Sequence, residues 1–195
     1  MKFYVIPEYM PITEKPYCCV PAVLQMIQER RGLKYTTQDE IGYQLGLIVP
    51  QDIAYLFTKI RTGKMPLGGW GTQVSQDEYS INNYFKRYKL PLNLTIYRVN
   101  DIENIPEFII QMIQDDNDII ICYNSQHLFG DGDTEHVSLI TDVDMEGELI
   151  TIIDPAINAP KIRKTTLSKL LQVLKSHESS NLGGFWIIKK KTFYQ

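Results

Sequence analysis

"EKPYCCVPAVLQMIQERRG", residues 14–32, sets two adjacent cysteines at the head of an apolar helical pattern. Val23, Met26, Ile27 and Arg30 recur at helical spacing, and Gly32 is a natural stop. Pro21 is tolerated only in a first turn, which puts the helix start at or just before Cys19. A helix start offers unpaired N–H groups and the positive end of the helix dipole, and both favour a thiolate. Cys19 is therefore a candidate nucleophile. Cys18 is either a packed neighbour or, if the helix begins one residue earlier, the nucleophile itself. Adjacent cysteines bond to each other with difficulty, so no Cys18–Cys19 disulfide is expected.

Outward from this helix the pattern is α+β. "TTQDEIGYQLG" predicts a second helix with Thr37 and Glu40 as a capping box, and "PQDIAYLFTKI" a third. "SQDEYSINNYFKRY" reads as a helix with Ser75 and Glu78 in the same capping roles. "LNLTIYRV" alternates as a strand, "IPEFIIQMIQDD" is an amphipathic helix, and "DIIICYN" is a short apolar strand that makes Cys122 a core residue. "EHVSLITDVDMEGELITIIDP" is a hairpin turning at Met145-Glu146-Gly147. "TTLSKLLQVLKSH" is a helix and "GGFWIIKKK" a closing strand. Helices come first, over residues about 1–90, and antiparallel strands dominate residues about 91–195. One domain is expected from a chain of 195 residues.

A reactive cysteine needs a base, and the base needs a group to orient it. Of the three histidines, His177 follows a helix and His127 lies in the polar loop "NSQHLFGDGD", both unremarkable settings. His136 opens the first hairpin strand, and Asp154 ends the second. With the turn midway between them, the two are expected as cross-strand neighbours at the open end, a carboxylate holding an imidazole.

These residues carry a resemblance. The "CVPAVL" helix start at residues 19–24, the strand-opening His136 and the Asp154-Pro155 that closes the next strand resemble the papain-like cysteine peptidases. The nearest likeness is to the bacterial branch with the double-glycine leader peptidases, which shares its fold with phytochelatin synthases and some acyltransferases. The resemblance implies a papain-like fold, N-terminal helices packed on a C-terminal antiparallel sheet. It makes Cys19 the nucleophile, His136 the general base and Asp154 the orienting carboxylate. The terminal "GGFWIIK" matches that fold's last strand. The family usually places a Gln six residues before the nucleophile, where its amide donates to the oxyanion hole. Here that position is Thr13, followed by Glu14. Thr13 can donate through its hydroxyl, an ionised Glu14 would repel an oxyanion, and the Cys19 backbone N–H remains as a donor.

The rest of the sequence narrows the class. A net charge of −3, from 20 basic and 23 acidic residues, gives no nucleic-acid or membrane surface, and Lys189-Lys190-Lys191 reads as a solvated strand end. The first residues lack the apolar run of an export signal, and no stretch approaches the ~18 apolar residues of a spanning helix. A cytoplasmic protein with reduced thiols, and no cofactor or metal, is the expectation. "DVDMEGE" reads as a hairpin turn rather than a calcium loop, and "GDGDTE" as a flexible loop more than a metal or substrate-lysine site. "TGKMPLGG" fails the phosphate-loop spacing. "PLGGWGTQ", with Gly69 and Trp70, reads equally as a substrate-binding lid and as a structural loop.

The expected function is cysteine-type hydrolysis of a peptide or amide. The alternatives are acyl or peptidyl transfer on the same triad, a peptide-binding module that has lost its oxyanion amide, and a Cys19 simply buried beside Cys18. The sequence leaves the substrate and the oligomeric state open.

Overall fold

The computed structural model describes residues 1–132, 134–177 and 182–191; Asp133 of the "GDGDTE" stretch lies outside them. Helix α1 (Cys19–Arg30) runs through the middle of the core. It is buried almost all round, not along one stripe: Val20, Ala22, Val23, Leu24, Met26 and Ile27 are each at most 4% exposed. A helix buried on every side must satisfy its polar residues internally. Gln25 donates to Thr36 O at 3.1 Å, and Gln28 donates to Tyr84 Oη at 2.6 Å.

Seven strands form one sheet: β1 (Lys2–Tyr4), β2 (Leu92–Tyr97), β3 (Asp118–Asn124), β4 (Glu135–Asp144), β5 (Leu149–Ile153), β6 (Ile162–Thr166) and β7 (Gly184–Lys190). Their order is β2-β7-β3-β4-β5-β6, all pairs antiparallel. β1 takes Asp142–Asp144 of β4, beyond the reach of β3. The helices are α1, α2 (Gln38–Gln44), α3 (Ile81–Arg87), α4 (Ile105–Gln114), α5 (Ser125–Phe129) and α6 (Leu167–His177).

Several expectations are corrected. Residues Gln51–Leu56 form a 3-10 helix rather than an α-helix, and none of them is buried, so no apolar face rewards a longer one. The cap of α3 is Ser80, which accepts from Asn83 N, while Ser75 lies upstream of a separate 3-10 turn at Asp77–Tyr79. Thr37 does cap α2 by accepting from Glu40 N at 3.2 Å. "SQHLF", read as loop, is the short helix α5, capped by Asn124 and ended by Gly130 in the left-handed region. The strands β1 and β6 were not expected. The "DVDMEGE" turn is made by Asp144, whose Oδ1 accepts from the N–H groups of Glu146 and Gly147.

Gly184 opens β7 with φ +113°, and a Cβ there would stand 2.4 Å from Tyr97 O. Both the dihedral and the contact exclude a side chain. Gly184→Ala is expected to cost more than ~2 kcal/mol of unfolding free energy, read as a lower urea midpoint with unchanged m. An unaltered midpoint would show that β7 can shift away from β2 at no cost.

Candidate active site

The approach to α1 is built by a sharp turn. Tyr17 adopts φ +64°, uncommon for a tyrosine, and Cys18 N donates to Lys15 O at 2.9 Å. This turn separates the two cysteines. Cys18, in the cap position, is fully buried in a small cluster with Leu47, Val49 and Phe57. Burial, with the charges of Cys19, Glu14 and Asp39, pushes its thiol far up. Cys19, the first helical residue, is only partly buried, and its Sγ lies within 4.8 Å of a ring nitrogen of His136. All three cysteines are free thiols, and burial pushes Cys122 far up as well.

His136 is 7% exposed in β4 and Asp154 is 1% exposed just after β5. His136 Nε2 and Asp154 Oδ1 are 2.7 Å apart. That bond leaves Nδ1 as the ring nitrogen for Cys19. The pair forms, but not by the expected direct opposition. The ladder sets Leu139 against Ile153, with a register shift between Ile140 and Asp142. Continuing it puts Asp154 opposite Ser138, so His136 and Asp154 meet on a diagonal. The turn causes the difference, because the ladder turns between Asp144 and Leu149, later than the midpoint at Met145; the bulge takes back one residue of that offset. Across β3, His136 pairs with Tyr123, whose ring stands edge-on to the imidazole at 5.7 Å.

Burial alone would push the His136 ring down. The hydrogen bonds to Asp154 and Cys19, with the charges behind them, outweigh it and hold the ring at about 10. For Asp154, burial raises and the His136 bond lowers, with help from Ala156 N–H and Arg163; the net direction is down. Arg163, on β6, donates to Asp154 Oδ2 at 3.1 Å, also pairs with Asp131, and stacks its guanidinium 3.5 Å from the Phe129 ring centroid. Sequence reading missed it. The faint signal was the alternation of "IRKTT".

The oxyanion candidates separate. Thr13 is exposed, and its backbone carbonyl accepts from Gln38 Nε2 at 2.9 Å. Glu14, not Thr13, brings its side chain to the site. Glu14, Cys19 and His136 offer an oxygen, a sulfur and a nitrogen within 4.8 Å of one another, a spacing that a cation could also span. Glu14 Oε2 is buried and has no hydrogen-bond partner. Burial and the charge of Asp154 raise the Glu14 carboxyl to about 6, against the pull of His136 and Lys161.

The glycine-rich loop passes the same segment: a Cβ on Gly71 would lie 4.0 Å from Tyr17 O. Gln73 holds that loop by donating to Gly69 O and Gly71 O. Gly69 has φ +84°, and Trp70 is partly buried. Met65 and Leu67 on the loop are exposed. His177, at the end of α6, lies 3.9 Å from Cys122 Sγ and 3.5 Å from Glu135, apart from this constellation.

No family model and no curated protein matches the sequence. Solved structures do. One is a double glycine motif protease from an AMS/PCAT transporter, in complex with the leader peptide: TM-score 0.52, 16% identity, 97% of this chain and 99% of that one. Another is xylellain, a cysteine protease from Xylella fastidiosa: TM-score 0.48, 12% identity, 98% of this chain and 86% of that one. The chain has the papain-like peptidase fold, helices N-terminal and antiparallel sheet C-terminal. No helix among the described residues is long and apolar enough to cross a membrane.

Proposed function

We propose that the chain is a cysteine-type hydrolase of peptide or amide bonds. The observation that carries the reading is the juxtaposition of a helix-start cysteine with a buried His–Asp pair: Cys19 Sγ lies within 4.8 Å of a His136 ring nitrogen, and His136 hydrogen-bonds Asp154 at 2.7 Å. The Cys19 thiolate attacks the carbonyl carbon, and the C=O electron pair moves to oxygen. The tetrahedral intermediate collapses, and the leaving amine takes the His136 proton. Water then attacks the thioester and gives its proton to the neutral imidazole; collapse releases the acid and restores the thiolate–imidazolium pair. Asp154 fixes the ring and Arg163 fixes Asp154. The Cys19 backbone N–H, one of the unpaired first-turn donors, faces the developing oxyanion.

A peptide is the favoured substrate class, because the solved double glycine motif protease of like fold is held with a leader peptide. Gly69 and Trp70 are proposed to border the cleft, the thiols to be kept reduced in a bacterial cytoplasm. A second reading has its own observation. A carboxyl, Glu14, stands beside Cys19 and His136, and if it stayed ionised it would repel an oxyanion and the site would hold peptides without cutting them.

The test is iodoacetamide alkylation against pH with mass-spectrometric site mapping, in wild type and His136→Ala. At pH 6, wild-type Cys19 is expected to react at least about tenfold faster than a thiol of ordinary pKa ~8.5. His136→Ala should erase that advantage. An inert Cys19, or equal rates in both proteins, would reject the enzyme reading.

A further inference from the structure

Glu14 Oε2 is, among the described residues of the site, the buried side-chain oxygen left without a hydrogen-bond partner, and its placement is built. The backbone is clamped on both sides of it. Glu14 N donates to Pro155 O at 2.9 Å, next to Asp154. Gln38 holds the neighbours: its Nε2 donates to Thr13 O at 2.9 Å, and its Oε1 accepts from Lys15 N at 2.8 Å. Lys15 Nζ is tied to Asp39 at 2.6 Å and to Leu56 O at 2.9 Å. A clamp this complete leaves Glu14 little choice but to project its carboxyl beside Cys19 and His136, where its Oε2 is buried.

We propose that Glu14 is a catalytic residue that acts as the neutral carboxylic acid, its O–H being the side-chain donor to the oxyanion, so that acylation is gated by acid. The inference rests on the hydrolase reading above. A neutral carboxyl beside the nucleophile has one proton to donate, and an ionised one has nothing to donate. A carboxylic acid kept neutral to hydrogen-bond an oxyanion is a known solution in apolar sites.

The site is a problem of proton count. The productive state holds two protons, one on Glu14 and one on His136, with Cys19 as thiolate. Moving the Glu14 proton to Cys19 gives a state with the same count, no nucleophile and no side-chain donor. Losing it to solvent leaves a thiolate beside a carboxylate. Each charge facing Glu14 enters this balance. His136 from β4 and Lys161 from the segment before β6 favour the carboxylate; Asp154 at the end of β5 favours the acid. Burial favours the acid more strongly than any of them. The thiols of Cys18 and Cys19 adjoin from the start of α1, and Lys161 is itself engaged with the carbonyls of Pro155 and Ala156.

The test compares two reactions of the same thiol. Acylation by p-nitrophenyl acetate passes through an oxyanion; alkylation by iodoacetamide does not. Their rate ratio cancels the ionisation of Cys19 and isolates the donor. A group titrating near 6 is about nine-tenths neutral at pH 5 and about three-hundredths neutral at pH 7.5. The wild-type ratio should therefore fall about 30-fold over that range. In Glu14→Gln, an amide donor at every pH, the ratio should stay flat and exceed wild type at pH 7.5. In Glu14→Ala it should be flat and low. A flat wild-type ratio, or a Glu14→Gln protein that keeps the pH dependence, overturns the proposal. Failure of the hydrolase reading itself would look different: slow, His136-independent alkylation in all three proteins.

Discussion

Cys19→Ala is expected to reduce acylation by p-nitrophenyl acetate to the buffer background, while Cys18→Ala keeps it close to wild type. For a peptide substrate the loss of the nucleophile should amount to about 10⁴–10⁶-fold in kcat. The contrast between adjacent thiols follows from one turn of backbone. Tyr17 in the left-handed region swings the chain so that Cys18 points into Leu47, Val49 and Phe57, while Cys19 takes the first helical position. Burial opposes ionisation of Cys18, and it is Cys19 whose Sγ lies within 4.8 Å of a His136 ring nitrogen. Truncating it removes one sulfur from a small apolar cluster and touches none of the reacting atoms. Intact-mass spectrometry after a single acyl pulse reads both variants directly. An acetyl adduct that persists in Cys19→Ala and vanishes in Cys18→Ala would shift the nucleophile by one residue and remove the Cys19–His136 pair from the mechanism.

Local chemistry made the helix start legible: Pro21 fits only a first turn, and two cysteines there admit few readings. The long apolar segments of β3, β4, β5 and β7 were legible because a strand buried on both faces reads as a near-continuous apolar run. Meeting of His136 and Asp154 was legible from hairpin symmetry, but their diagonal registration was not, because the residues around Met145 do not show that the ladder stops at Asp144 and Leu149, nor that a bulge at Thr141 takes back one residue. What stayed hidden is nonlocal. β1 is three residues long and exists only because β4 outruns β3. β6 is a short, charged edge strand, which is how such edges are made safe. Its Arg163 acts on Asp154 through space, and no spacing announces that. Glu14 is the sharpest case. Counting back from Cys19 favours Thr13, but the turn at Tyr17 and the Gln38 clamp aim the next side chain inward instead.

Asp118→Ala is expected to be the most damaging substitution outside the site, because it would strand a cation in the core. Asp118, at the start of β3, is fully buried and takes Tyr9 Oη at 2.7 Å and Arg30 Nη1 at 2.9 Å on Oδ1, and Arg31 on Oδ2. Burial pushes its carboxyl up, and the two guanidiniums and the tyrosine hydroxyl pull against it. Arg30 also binds Asp116 and the carbonyls of Ile6 and Pro7, with its guanidinium over the Tyr9 ring. Removing one partner of such a buried pair costs about 3–5 kcal/mol, because the remaining charge is uncompensated. Urea unfolding measures it; a loss below ~1 kcal/mol would mean that Asp116 and the carbonyls hold the arginines alone. The consequence should reach the nucleophile. The network pins the C-terminal end of α1 to β3, and β3 carries Tyr123, the cross-strand partner of His136. Over 12 residues, roughly 18 Å, a pivot at that end displaces Cys19 from the ring at the other. Under conditions where Asp118→Ala remains folded, Cys19 should therefore lose part of its His136-dependent alkylation rate while staying as accessible as before. An unchanged rate in the folded variant would confine the network to stability and leave the placement of Cys19 to the Tyr17 turn.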